Sequence, residues 1–153
     1  MQFKTIQPMT VFCFETETTM KDLLQYVRVV AQKLYADAAK NSLEVTGPVY
    51  WIYNGADGQP ETTFLLTIAL PVSPGGSLQA GSEFVLKSLE TFHCLSAQHN
   101  GDWGKLGETY AILMSEIQSK GHQMNGLIRE AYINMDFQNP EANITEVQIG
   151  LIR

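Results

Sequence analysis

The stretch Leu127 to Asp136, LIREAYINMD, sets one carboxylate into a run that otherwise reads as a half-buried β-strand. Alternation at period two puts Ile128, Glu130, Tyr132 and Asn134 on one face, and Leu127, Arg129, Ala131 and Ile133 on the other. A glutamate that shares a face with an isoleucine and a tyrosine admits two chemistries. Either that face is wet and the charge is solvated, or it lines a pocket that uses a negative charge. Other chemistries lack their residues. His93, His99 and His122 share no metal-ligand spacing with the cysteines or carboxylates, and a zinc site needs several convergent ligands. PGGSLQAGS carries glycines without the Gly-x-x-x-x-Gly-Lys-Ser/Thr pattern of a phosphate cradle, and no Gly-x-Ser-x-Gly elbow occurs. Asp57, Glu61, Asp136 and Glu141 fall in turn-forming stretches, where solvation is the default. No metal and no cofactor is expected.

The bulk composition narrows the field further. With 153 residues and 44% hydrophobic content the chain can bury one substantial core, so one domain over 1–153 is the expectation. Sixteen acidic against ten basic residues give a net charge of −6, and the basic residues are scattered. A nucleic-acid binder would need a basic stripe to neutralise phosphates, so no direct nucleic-acid contact is expected. The amino terminus MQFKTIQPMTVFCFETE lacks an apolar segment behind a basic start, and no apolar run approaches the roughly 20 residues that span a bilayer. Cys13 and Cys94 each sit in an apolar strand-like run, the pattern of reduced core thiols in a cytoplasmic protein.

A faint internal repeat organises the chain. Asn54 and Asn134 are 80 positions apart (134 − 54 = 80), as are Pro60 and Pro140, and Glu61 and Glu141. The same offset lays VFCF over TFHC and superposes the secondary-structure signals without a gap. In the first half, Val11 to Phe14 is a strand and Thr18-Thr19 offers an N-cap. Leu23, Val27, Val30, Leu34 and Ala38 then follow at helical spacing. VYWIYN and TTFLLTIALPV are strands across the turn-rich GADGQPE. In the second half, Phe92 to Ser96 is a strand and HNGD a turn with Asp102 as cap. Trp103, Leu106, Tyr110, Leu113 and Ile117 mark one helical face, and Gly121 ends that helix. GLIREAYIN and ITEVQIGLI are the closing strands. Each half is β-α-β-β: repeat one over about 1–71, a Gly-rich connector over 72–81, and repeat two over 82–153.

Neither half can hide both an apolar helix stripe and an apolar strand face alone. The expected fold is therefore α+β: tandem repeats forming a curved antiparallel sheet under two main helices, with a central cleft on the pseudo-twofold axis. The offset equates Glu130 with Tyr50 and Tyr132 with Ile52.

The segment HNGDWGKLGETYAILMSEIQSKGHQMNGLIREAYINM resembles the second half of the gyrase-inhibitor-like (GyrI-like) small-molecule-binding domains, which include effector-binding domains of AraC-type and MerR-type multidrug regulators. The matching features are Gly101 with Trp103 two residues on, then Leu106, Tyr110 and Leu113, and finally Glu130-x-Tyr132 on a strand. The duplicated layout extends the resemblance over essentially the whole chain. It implies an aromatic-lined pocket with an acidic residue on a late strand, and Glu130 fits that role by strand position. The candidate ligand-binding residues are Glu130, Tyr132, Tyr50 (which mirrors Glu130 under the offset), Ile52, Trp103, Tyr110 and Phe14. A buried carboxylate there favours a small hydrophobic or cationic ligand, helped by aromatic faces.

Three functions follow from the resemblance. The first is a stand-alone binding module of the effector-binding type, without a DNA-binding domain of its own because the repeats occupy the chain. The second is a hydrolase of strained, cyclopropane-bearing electrophiles, with Glu130 as base or nucleophile and Tyr110 or Tyr132 as hydrogen-bond donor. The third is an inhibitor of DNA gyrase or another protein by surface contact, with regulation through a protein partner. The sequence leaves the oligomeric state open.

Overall fold

Eight strands and two α-helices form where apolar periodicity switches between two and about 3.6. A computed structural model describes residues 1–153. In chain order the elements are β1 (Gln2–Ile6), β2 (Met9–Thr18), a 3-10 segment (Met20–Tyr26), α1 (Val29–Lys40), β3 (Tyr50–Asn54), β4 (Phe64–Pro71) and β5 (Val85–Leu89). The chain continues with β6 (Phe92–Asn100), a 3-10 turn (Trp103–Lys105), α2 (Leu106–Ser119), β7 (Met124–Asn134), a 3-10 turn (Pro140–Ala142) and β8 (Ile144–Leu151). The fold class is α+β, and the strand pairings within each unit are antiparallel.

The chain divides into two units, one of Met1–Gln7 with Thr91–Arg153 and one of Pro8–Glu90. In the first, strand order is β1-β6-β8-β7, and α2 covers one face. Its core joins Leu113 and Ile117 of α2 to Leu95, Val147, Ile149 and Leu151 of the sheet, with Tyr110 packed at its margin. In the second unit the order is β3-β4-β2-β5, and α1 packs on β2 and β4. Phe12, Leu66, Ile68, Leu70 and Leu34 are fully buried there.

Two elements depart from the β-α-β-β expectation. β1 and β5 are additional strands, and each is an edge of its sheet: β1 pairs with β6, and β5 with β2. Edge strands leave half their residues solvated and need no continuous apolar pattern, so QFKTI and VLKSL give little periodic signal. The first helix is also broken. Met20–Tyr26 is 3-10, Arg28 adopts a left-handed φ of 69°, and the α-helix begins only at Val29. The β-branched Val27, Val29 and Val30 cluster at that break, where helix propensity is weakest. Thr19 makes no side-chain bond to the helix backbone; its hydroxyl donates to Asp22 Oδ2 at 3.0 Å instead. The second helix follows expectation, with Asp102 Oδ1 accepting from the Gly104 amide at 2.8 Å and Gly121 at φ 72° past its end.

Candidate functional site

The pairing of β7 with β8 fixes which way Glu130 points. Glu130 lies opposite Val147, Ile128 opposite Ile149, and Tyr132 opposite Thr145. Val147 and Ile149 belong to the core under α2, so Glu130 is on the helix-covered face. Its side chain is buried, with the residue 5% exposed, which removes the solvated alternative. The neighbouring Arg129, also buried, points to the opposite face and stacks its guanidinium 3.9 Å from the Phe92 ring centroid.

Two tyrosines converge on the carboxylate. Tyr110, on the inner stripe of α2, donates its hydroxyl to Glu130 Oε2 at 2.5 Å. Tyr132, two residues along β7, donates to Oε1 at 2.7 Å. These lengths fall in the range of charge-assisted O–H···O bonds. Burial pushes the Tyr110 phenol well above its ordinary value, and the charge of Glu130 and the hydrogen bond to it act in the same direction. Tyr110 is therefore a locked donor across the neutral range.

Trp103 forms the next wall. Its indole N–H donates to Thr145 Oγ1 at 3.0 Å, and its ring meets Tyr132 edge-on at 5.9 Å and Phe137 at 5.1 Å. Behind it, His99 bonds Thr109 Oγ1 through Nδ1 at 2.7 Å and the Asp102 carbonyl through Nε2 at 2.8 Å. Glu130, Tyr110, Tyr132 and Trp103 thus come together in one unit, as one hydrogen-bonded and ring-stacked cluster. His99, weighed in the sequence only as a metal ligand, completes it together with Thr109, Thr145 and Phe137, which the sequence did not single out. The cross-strand pairs that bring them together leave no mark in a linear pattern.

Tyr50, Ile52 and Phe14 belong to the other unit. Within it, Tyr50 pairs with Ala69 and Ile52 with Thr67, whereas Phe14 pairs with Ile68. Adjacent β4 residues point to opposite faces, so Phe14 lies on the face of Trp51 and Ile68, away from Tyr50 and Ile52. Phe14 instead packs among aromatics, 5.9 Å from Tyr26 and 6.3 Å from Phe84.

The equivalence of Glu130 with Tyr50 also changes. Val147 is the counterpart of Thr67 (147 − 67 = 80), and Thr67 pairs with Ile52, so the ladder equates Glu130 with Ile52. Irregularities between Met124 and Ile128 and between Tyr132 and Asn134 mark where the second ladder departs from the first. A slip of two residues preserves the face, which is why the face assignment survives.

No group of three or more His, Cys, Asp and Glu side chains is placed to hold a metal ion. Both thiols are buried and free, and burial pushes each up to about 11. No helix is long and apolar enough to cross a membrane.

Residues 1–152 match the family model of the GyrI-like small molecule binding domain. The crystal structure of the EcmrR C-terminal domain is similar at a TM-score of 0.80 and 16% identity, covering 99% of this chain and 96% of that one. In the cryo-EM structure of an EcmrR–DNA complex, at the same TM-score of 0.80 and 16% identity, 99% of this chain matches but only 57% of the EcmrR chain is covered. SAV2435, solved bound to tetraphenylphosphonium, gives a TM-score of 0.66 at 14% identity over 99% of this chain and 93% of that one. A hydrolase from Listeria innocua gives 0.68 at 15% identity, over 99% and 91%. Identities this low establish a shared fold. No curated protein matches the chain.

Proposed function

This chain belongs to the GyrI-like small-molecule-binding domain family, and from that membership we propose that it binds a small lipophilic cation, with Glu130 as counter-charge and Tyr110, Tyr132 and Trp103 as the aromatic surround. The observation that carries the reading is the buried Glu130 carboxylate with one tyrosine hydroxyl on each oxygen. The two donors fix the orientation of the carboxylate, each contributing a dipole and no net charge of its own. A cation that shed its water against this face would meet a pre-oriented charge and polarisable rings, an arrangement suited to a delocalised, weakly hydrated ligand. Tetraphenylphosphonium, the ligand of the structurally similar SAV2435, is of this chemical type. Binding of this kind suits an effector-binding module, and the buried, reduced thiols suit a reducing compartment.

Calorimetric titration with tetraphenylphosphonium and with neutral triphenylphosphine oxide tests the reading. The cation should bind at least about tenfold more tightly, the share expected of a desolvated charge pair. Equal affinities would remove the counter-charge, and no binding of either would remove the ligand class.

A second reading rests on the 2.5 Å contact between Tyr110 and Glu130. A carboxylate held in this way is placed to act as a general base or nucleophile, with a phenol beside it as donor. Incubation with a cyclopropane-bearing electrophile, followed by mass spectrometry, separates the two: turnover with water incorporation supports the hydrolase, and an unchanged compound supports binding alone.

A further inference from the structure

We propose that His99 is the positioning residue of the aromatic wall, holding Trp103 and Tyr110 in place without touching the ligand; the inference rests on the binding reading above. The imidazole is buried, and its partners settle its tautomer. The Asp102 carbonyl oxygen can only accept, so Nε2 carries the hydrogen at 2.8 Å. In the neutral ring Nδ1 is then an acceptor, and the Thr109 hydroxyl donates to it at 2.7 Å.

Each partner is one residue away from a wall group. Asp102 immediately precedes Trp103, and Thr109 immediately precedes Tyr110 on the first turn of α2. His99 also pairs across β6 and β8 with Thr145, the acceptor of the Trp103 indole N–H. Thr145 in turn pairs across to Tyr132 on β7. Three strands therefore present His99, Thr145 and Tyr132 in one row, and the segment from Gly101 to Lys105 is strapped over it. That segment is otherwise held by few backbone bonds, among them Gly101 N to Asn143 O at 2.8 Å and Lys105 N to Asp102 O at 3.1 Å. Trp103 is only half-buried, and beyond its indole bond to Thr145 and its ring contacts its place is set by the strap that carries it. Loss of the His99 bridge should release both Trp103 and the start of α2 while leaving the core of Leu113, Ile117, Val147 and Ile149 intact.

The test uses Thr109→Val and His99→Gln in a Trp51→Phe background, where Trp103 is the sole tryptophan of the original two. Thr109→Val removes the hydroxyl at constant shape, and His99→Gln can keep a donor at the Asp102 carbonyl, but its amide oxygen does not stand where the ring Nδ1 accepts from Thr109. Each should raise acrylamide quenching of Trp103 and weaken tetraphenylphosphonium about tenfold, as one lost buried hydrogen bond would. Thr109→Ser should restore both readouts. In a Trp103→Phe background His99→Gln should cost clearly less than about tenfold in affinity, because only its hold on Tyr110 through Thr109 remains. Unchanged quenching in both variants, or losses that simply add to that of Trp103→Phe, would overturn the assignment. If His99→Gln does not fold, Thr109→Val carries the test. If the original chain does not bind tetraphenylphosphonium, the ligand reading fails, and quenching alone decides whether His99 positions Trp103.

Discussion

Replacing Glu130 by glutamine removes one charge at nearly constant shape. In the folded protein both carboxylate oxygens accept tyrosine hydroxyls, at 2.5 Å and 2.7 Å. An amide has one acceptor oxygen and an NH2 group, so one tyrosine must turn its hydroxyl to accept or lose its bond. A hydrogen bond to a charged group contributes about 1.5–3 kcal/mol, and loss of the buried charge returns part of that as relieved desolvation. The net expectation is a destabilisation of about 1–2 kcal/mol, or a fall of a few degrees in Tm for a chain of this size. The effect on binding should be larger and selective. Removing one partner of a desolvated ion pair costs about 2–5 kcal/mol, so tetraphenylphosphonium should weaken by at least about 30-fold. Triphenylphosphine oxide, which brings no charge, should weaken by less than about fivefold. Calorimetry on both proteins with both ligands, alongside a urea titration, measures all three quantities. Equal loss for the two ligands would show that Glu130 acts only through structure. No loss for either would refute the counter-charge argument outright.

Other outcomes follow from the same geometry. Tyr110 has a phenol pushed well above its ordinary value of 10.0, so the folded state holds this proton longer than the unfolded chain does. Its contribution is complete below pH 10 and is lost as pH rises from there through the folded value; denaturant titrations between pH 9 and 11 should show a shallower decline in Tyr110→Phe. The same variant should slow any hydrolysis while leaving substrate affinity nearly unchanged, read as kcat against KM. Cys13 and Cys94, each at about 11, should resist a thiol reagent at pH 8 and react together once urea unfolds the chain. Leu113, fully buried beneath α2, should cost about 2–5 kcal/mol when cut to alanine, seen as a lower urea midpoint at unchanged slope.

How much of this was legible depends on the range over which each signal acts. Helix α2, with Asp102 at its approach and Gly121 past its end, was legible because caps and stripes are local. So was the repeat: β4 and β8 begin and end 80 residues apart, Phe64 to Ile144 and Pro71 to Leu151. The face of Glu130 was legible too, since a strand alternates whatever its partner. The edge strands β1 and β5 were not, because each draws its place from a partner far away in sequence, β6 for one and β2 for the other. Likewise the letters equate Glu130 with Tyr50, and only the ladder shows that its counterpart is Ile52. Register is set by irregularities within a strand: the one between Met124 and Ile128 contains Gly126 at a φ of 90°, a glycine-bulge mark, while the one between Tyr132 and Asn134 has no such residue.

Tyr110 shows the same limit at the site itself. On its helix it is one of five residues in an apolar stripe with Trp103, Leu106, Leu113 and Ile117, and core packing is what that stripe predicts. Leu113 and Ile117 do enter the core, while Tyr110 sits at its margin. A tyrosine at the edge of a stripe has its ring in the core and its hydroxyl at the boundary, so its role turns on what the sheet presents there. The sheet presents Glu130. The carboxylate would be a liability on a buried face without donors, and Tyr110 and Tyr132 supply one for each oxygen. Both donors are neutral hydroxyls, and together they fix the orientation of the carboxylate. A fold that needed only stability could have placed a leucine at this position. One that keeps a glutamate holds it with a tyrosine hydroxyl on each oxygen, and it is this fixed carboxylate that the proposed reading takes as the counter-charge.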